Sequence, residues 1–515
     1  MVDREFPHLE KAADPIRAAL TPWRERSLAA VLLLLGLVLR LPGLSAHGLN
    51  SDEVYTVLQA RDGVFAQLMQ DIHPPLYPLL IKPVLWLGPE IGPRLASVLA
   101  GLVFCFAIWR ITRRGFGKEA ALVALLLAVT SPPLVWLSRL ARSYSLVAAL
   151  IGLLVWLWFL RIERPDNNRL RLLLILCGAA SLYTFYYSVF PLVYLAMHAL
   201  LLRRSDKRLG SALLVDLVAI ILLFAPMVLL VATQAGRVAE LRPWTVWETG
   251  VYQLVRRTLL VLMENSTGAG FMMLTRFLLP LAPAKILLLL AGVALVAFGW
   301  IGGVRRNLGL PTMGFLVGLL FFTLTAAIVA HWTLRLLIAE HYFVFLAVAV
   351  VPLTAAALLL ARRNTAYVLI AILVMVNIVA AVPYRARSVE ELRKQVEWIE
   401  ENASDNAAVV TVAFFIADAY RLYGKKNLPV FGLPEDLPGH EPLPREADGF
   451  IPIDAKPQLA KLLAGRNEVF LMASHTNRGG RDRGLDLVTD WLTDLGYKPL
   501  QAISDQGVTT TYFRK

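Results

Sequence analysis

The sequence predicts an all-α polytopic membrane domain of about eleven transmembrane helices, followed by a small extracytoplasmic α/β domain. Three observations carry this. Of the 515 residues 57% are hydrophobic, and the mean hydropathy is +0.60, above the range of soluble domains. Apolar runs of spanning length recur between residues 28 and 383, each near the twenty residues a bilayer requires. After Pro383 the chain becomes charged and alternates strand-like with helix-like periodicity.

Residues 1–27 form a polar, cytoplasmic N-terminal segment. The first span, 28–44, stays in the chain, because Ser45-Ala46-His47 is a poor cleavage site. Further apolar runs lie at 76–88, 92–111, 119–137, 143–160, 171–186, 188–202, 211–232, 279–301, 311–331, 341–361 and 366–383. Basic clusters at Arg24/Arg26, Arg110–Lys118, Arg161–Arg171, Arg203–Arg208, Arg305/Arg306 and Arg362/Arg363 belong on the cytoplasmic side. All of them do so if 76–88 lies at the interface instead of spanning; it is short and contains Lys82 and Pro83. Residues 45–91 then form one long external loop with surface helices. The segments around Arg139 and Arg142, 233–275, His331–His341 and the tail share that outer face. Merging 171–186 with 188–202 into one bent helix would break this parity.

The domains are therefore a transmembrane domain at 28–384, with its first external loop at 45–91, and an extracytoplasmic domain at 385–515. In the tail, Arg387–Ala403 and Asp482–Leu495 read as helices, and Ala408–Ala413, Val469–Ala473 and Val508–Phe513 as strands. The Pro- and Gly-rich stretch from Leu428 to Pro452 reads as a long loop. The net charge of +13 follows the cytoplasmic loops, so it marks topology and not nucleic-acid binding. Cys105 and Cys177 sit inside apolar runs, as packing residues do.

Four groups on the expected outer face can carry chemistry. Asp52 and Glu53 follow the first span; a carboxylate can accept a proton from a hydroxyl or hold a divalent cation. On a helix adjacent side chains diverge by about 100°, so one can act while the other supports. The alternative is a solvated helix start capped at Ser51. In Asp71-Ile-His73-Pro74-Pro75, the two prolines fix the backbone that carries the imidazole. Arg139 and Arg142, three apart, would share one helical face. Their paired donors suit phosphate, while snorkelling to lipid headgroups at large is the blander use. The link from His331 through Arg335 to Glu340-His341-Tyr342 adds cations, an acid and imidazoles. No dedicated metal-ligand cluster stands out, although the Asp52/Glu53 pair could hold one divalent metal.

These blocks resemble the GT-C fold glycosyltransferases that use polyprenyl-phosphate sugars, in particular the protein O-mannosyltransferase and aminoarabinose-transferase superfamily. Asp52-Glu53, Asp71-Ile-His73-Pro74-Pro75-Leu-Tyr77 and Arg139-Leu-Ala-Arg142-Ser-Tyr144 carry the resemblance, which covers roughly residues 28–385. It implies Asp52 as catalytic base, with Glu53 contacting acceptor or supporting the site. It also implies Arg142 near the donor phosphate, with Arg139 and Tyr144 beside it, and Tyr55, Asp71, His73 and Tyr77 positioning substrate. Many bacterial members have an Arg-Tyr pair where this chain has His341-Tyr342, so Arg335 or His341 would supply that phosphate contact. The expected activity is inverting transfer of a hexosyl or pentosyl unit from polyprenyl phosphate, undecaprenyl phosphate in a bacterium. The acceptor is a lipid, glycan or protein hydroxyl at the outer face of the inner membrane. The rivals are a lipid-linked glycan ligase or flippase-like protein, and a secondary transporter. The last would show internal repeats, and the sequence has none.

Overall fold

The computed structural model describes residues 21–64, 73–240, 301, 309–334, 340–385, 390–433, 436, 451, 455–474 and 483–515. Contacts divide the chain into two units. The first comprises Met1–Pro42, Phe65–Tyr77 and Arg94–Arg385; the second comprises Gly43–Val64, Pro78–Pro93 and Ala386–Lys515.

The first unit is helical. Its described helices are α1 (Pro22–Arg40), and then, after α2 (Ser51–Asp62) and α3 (Leu76–Ile81), α4 (Ile91–Thr130), α5 (Pro132–Leu137), α6 (Tyr144–Glu163), α7 (Asn168–Thr184), α8 (Val189–Ser205), α9 (Lys207–Glu240), α10 (Leu310–Leu334), α11 (Ala347–Leu358) and α12 (Arg363–Arg385). Seven of the described helices are long and apolar enough to cross a membrane. One of them, α4, holds two of the expected spans, because Gly117 breaks it with φ 87° and ψ −179°. A φ of this sign is open to glycine at no steric cost. The run 76–88 is α3 followed by a 3-10 segment, Lys82–Leu87, and is too short to span. Segments 171–186 and 188–202 are separate helices: extended Phe185 (φ −161°, ψ 122°) and a 3-10 turn at Tyr186–Ser188 divide them. The helix α9 runs on to Glu240, past the loop start expected at 233. The rest of that loop, nearly all of the span at 279–301, Arg335 and Asp71 lie outside the described residues.

Charges at the helix ends are paired. Arg161 and Arg171 donate to the two oxygens of buried Asp216 at 3.0 and 2.7 Å, and Arg113 donates to buried Glu25 at 2.6 Å. A buried ion left alone would cost several kcal/mol, so one carboxylate between two guanidiniums lets α6, α7 and α9 meet there. Cys105 and Cys177 are free and buried, as packing residues.

The second unit contains a five-stranded sheet of order β2-β1-β3-β5-β4, with β1 (Ala407–Val412), β2 (Val430–Leu433), β3 (Glu468–Ser474), β4 (Lys498–Asp505) and β5 (Val508–Arg514). β1 pairs in parallel with β2 and β3; β5 pairs antiparallel with β3 and β4. One face of β1 and β3 presents Val410 and Leu471 to Val488, Trp491 and Leu492 of α16 (Arg483–Asp494). Before α16 in this unit come α13 (Leu392–Asn402), α14 (Ala417–Tyr423) and α15 (Lys456–Leu462). The three strands and both helices read from sequence are present within a few residues. The stretch 428–452 is not wholly a loop, since it opens with β2. β4 was also missed in the sequence: it is an exposed edge strand with a register shift between Pro499 and Gln501, so no apolar alternation marks it.

Acid should loosen this unit. Burial alone would raise the Glu400 carboxyl, but hydrogen bonds from the Tyr420 hydroxyl and the Lys426 and Lys425 amides hold it below the usual range. Glu468 is likewise held low against its burial by the Ser404 amide and hydroxyl. A folded value below the unfolded one gives stability above the unfolded pKa, about 4.3 for Glu, that is lost as pH falls toward the folded value. Thermal melting followed by near-ultraviolet circular dichroism should show the midpoint falling across that window, with a flatter profile and a lower neutral midpoint in Glu400→Gln.

Candidate active site

The acidic pair opens α2, in the second unit. Asn50 is the helix N-cap: its side-chain oxygen accepts from the Glu53 amide at 2.9 Å, and the Glu53 carboxylate accepts from the Asn50 amide at 3.1 Å. This reciprocal pair satisfies two amides that a helix start leaves open. Glu53 is 1% exposed and serves the backbone, while Asp52, one residue earlier and about 100° around the helix, is exposed. The two carboxylates therefore differ in setting: the Asp52 side chain is exposed and Glu53 closes the capping box of the same helix. The cap is Asn50, not Ser51. Tyr55, on the next turn of α2, is half-buried.

The cationic group lies in the first unit. Arg139 and Arg142 fall in a non-helical link between the end of α5 at Leu137 and the start of α6 at Tyr144. They do not share a helical face, contrary to what their spacing suggested, and the contacts seen for each are different. Arg139 donates to the carbonyls of Arg40 (2.5 Å) and Pro42 (2.8 Å), which satisfies acceptors exposed where α1 ends. The fully buried Arg40 donates in turn to Ser138 Oγ at 2.8 Å and to the Gly36 and Val129 carbonyls at 2.9 and 3.0 Å. Arg139 is thus committed to holding α1 beside α5.

Arg142, 8% exposed, places Nη2 3.3 Å from His73 Nε2 and its guanidinium carbon 5.8 Å from the Tyr144 ring centroid. Tyr144 meets His341 edge-on at 4.8 Å and lies nearly parallel to Tyr342 at 6.2 Å. Tyr342 also meets Phe185 and Tyr187, at 5.4 and 5.5 Å. Three distant stretches of sequence, around 73, 142 and 341, therefore meet in one cluster: His73 and Tyr144 touch the Arg142 guanidinium, and His341 and Tyr342 pack on the Tyr144 ring. The sequence named Arg142, Tyr144, His73 and His341 as site residues but not Phe185, inside a run read only as apolar, or Tyr187, between two such runs. Tyr77 is buried, with its hydroxyl 2.7 Å from Ser97 Oγ, where it packs the start of α3. Among the described residues no three His, Cys, Asp or Glu side chains gather as metal ligands.

The helical unit followed by a small sheet has the GT-C fold, as its likeness to solved structures shows. ArnT from Cupriavidus metallidurans in the apo state is similar over 94% of this chain and 97% of its own, with a TM-score of 0.57 and 14% identity. An oligosaccharyltransferase from Archaeoglobus fulgidus, in a complex with Zn and sulfate, is similar over 86% of this chain and 67% of its own (TM-score 0.54, 12% identity). AglB from the same organism, with an inhibitory peptide and a dolichol-phosphate, covers 95% of this chain and 74% of its own (TM-score 0.51, 11% identity). More particularly, a family model described as dolichyl-phosphate-mannose-protein mannosyltransferase matches residues 72–230, the segment that holds His73, Arg139, Arg142 and Tyr144. No curated protein matches the chain in sequence.

Proposed function

We propose that the protein is an integral membrane glycosyltransferase that moves a monosaccharide from a polyprenyl-phosphate carrier to an acceptor hydroxyl. The carrying observation is Arg142, buried between His73 and the Tyr144 ring, within the segment matched by the mannosyltransferase model. The dolichol-phosphate and peptide held by AglB support a lipid-phosphate donor and a lipid or peptide acceptor. Asp52 takes the proton of the acceptor hydroxyl. The freed oxygen attacks C1 from the face opposite the phosphate, the C1–O bond to phosphate breaks, and the lipid phosphate leaves with the electron pair. Arg142 neutralises the charge that grows on it, in a site where burial strengthens the effect. The configuration at C1 is inverted. His73 sets the Arg142 fork, and His341 with Tyr144 and Tyr342 forms the wall beside it. Donor choice tests this: purified protein should consume a labelled polyprenyl-phosphate monosaccharide. Consumption of only a lipid-pyrophosphate oligosaccharide would favour a ligase, and consumption of neither a transporter.

The same reading puts the second unit on the extracytoplasmic side of the inner membrane. Both native cysteines are buried, so introduced cysteines report alone. In intact spheroplasts an impermeant thiol reagent should label cysteines replacing exposed Lys82 and Leu500 and spare one replacing exposed Arg208. Labelling at 208, or at only one of the other two, would contradict the topology.

A further inference from the structure

The residues that lead into Asp52 are held in an unusual way. Four successive backbone amides, at 48, 49, 50 and 51, each donate to a side chain. Gly48 donates to both oxygens of Glu391 (3.0 and 3.3 Å), Leu49 to the Tyr423 hydroxyl (2.9 Å), Asn50 to Glu53 (3.1 Å) and Ser51 to Glu390 (2.9 Å). Three of the four acceptors come from the tail, more than three hundred residues away, and all lie in the second unit. Glu390 and Glu391 are 2% and 0% exposed. Glu390 uses its other oxygen to accept from Ser474 Oγ at the end of β3 (2.5 Å), and Glu391 also lies 3.3 Å from His47 Nδ1. Tyr423 donates onward to Glu90 (2.9 Å), which Arg393 holds through two contacts at 2.8 and 3.0 Å. The approach is close: a Cβ on Gly48 would stand 2.7 Å from Arg393 Cβ and 2.9 Å from Glu391 Oε1.

Two adjacent carboxylates buried against amides are an expensive way to secure a loop, since a charged group withdrawn from water must be fully compensated. Hydrogen bonds to a charged acceptor are roughly twice as strong as neutral ones, and here they fix the backbone immediately before the residue read as the base. The five strands of the sheet and the apolar cluster around Val410, Leu471 and Trp491 include none of residues 43–64, so these carboxylates serve the loop before α2.

We infer that Glu390, Glu391 and Tyr423 are positioning residues that fix Asp52 for proton abstraction by holding the amides of residues 48–51. The inference rests on the reading of Asp52 as base. It makes the tail a working part of the catalytic machinery: the tail grips the loop that carries the reactive carboxylate. A shift of about 1 Å in that carboxylate would cost up to about a hundredfold in rate.

The test uses the purified full-length protein with two independent readouts. The first is hydrogen exchange of the peptide spanning residues 47–55, which needs no turnover. The second is steady-state transfer, with kcat separated from the donor KM. Glu390→Ala and Glu391→Ala should speed exchange at residues 48–51 at least about tenfold and lower kcat about tenfold to a hundredfold, with donor KM unchanged within about twofold. Glu390→Gln, which keeps a carbonyl acceptor, should recover part of both. If the alanine variants fail to fold, Tyr423→Phe, which deletes a single hydroxyl, carries the test, with faster exchange at Leu49 and a several-fold loss of kcat. Unchanged exchange would overturn the clamp. Faster exchange with unchanged kcat would leave these residues structural and overturn the positioning role. Asp52→Asn is run alongside: full turnover there would remove the base itself, an outcome distinguishable because exchange reports the clamp regardless.

Discussion

Asp52→Asn should fold normally and bind donor normally yet lose about a hundredfold to ten-thousandfold in turnover, the range expected for removing a general base. The structure sharpens this expectation. Asp52 is exposed at the first turn of α2, whereas Glu53 is buried in a capping box, so the two substitutions should separate. Asn is nearly isosteric with Asp and the capping box is made by Asn50 and Glu53, so Asp52→Asn should lower kcat far more than it lowers the melting temperature. Glu53→Gln keeps an acceptor for the Asn50 amide and should be mild in both. Glu53→Ala removes one arm of the cap and should cost about 0.5–2 kcal/mol of stability, with activity falling as α2 loosens. The check is kcat together with the melting temperature for all three. A well-folded Asp52→Asn protein with near-normal turnover would take Asp52 out of the mechanism.

Arg142→Ala should be nearly inactive and should weaken donor binding, while Arg142→Lys retains a little activity. The guanidinium reaches His73 with one nitrogen and lies against Tyr144; lysine keeps the charge but loses the planar fork and its stacking. Losing a charge-assisted contact should cost about 1.5–3 kcal/mol, visible in donor affinity and again in turnover, because the phosphate is bound in the ground state and gains charge as the bond breaks. Arg139→Ala should behave differently. Its donors hold the carbonyls at the end of α1, so the loss should appear first in thermal stability and only then in rate. Binding of a non-transferable polyprenyl phosphate to size-checked protein separates the cases: unchanged donor affinity in Arg142→Ala would leave it a membrane anchor.

The seven described helices long and apolar enough to span were legible because a bilayer demands continuous apolar runs bounded by charge, and neither property depends on tertiary contacts. That 76–88 is too short to span followed from its length. The tail helices Leu392–Asn402 and Arg483–Asp494 and the buried strands carried their periodicity in full. Features that depend on the partner were not legible. The spacing of Arg139 and Arg142 implied a shared helical face, but the six-residue α5 ends before them and they lie in a non-helical link. Asp216 is a lone acid in an apolar run, and only packing reveals the two arginines it joins. Glu390 and Glu391 look like ordinary tail charges until the fold brings Gly48 and Ser51 to them.

The central claim is an in-line displacement at the sugar of a lipid monophosphate. The most direct measurement is a product analysis with a polyprenyl-phosphate monosaccharide of known anomeric configuration and the purified, full-length protein. It counts the lipid phosphate released and determines by NMR the configuration of the new glycosidic bond. The account predicts one lipid phosphate for each sugar transferred, an inverted anomeric centre, and loss of both products together in Asp52→Asn. Retained configuration, or sugar transfer that leaves the lipid phosphate uncleaved, would contradict it.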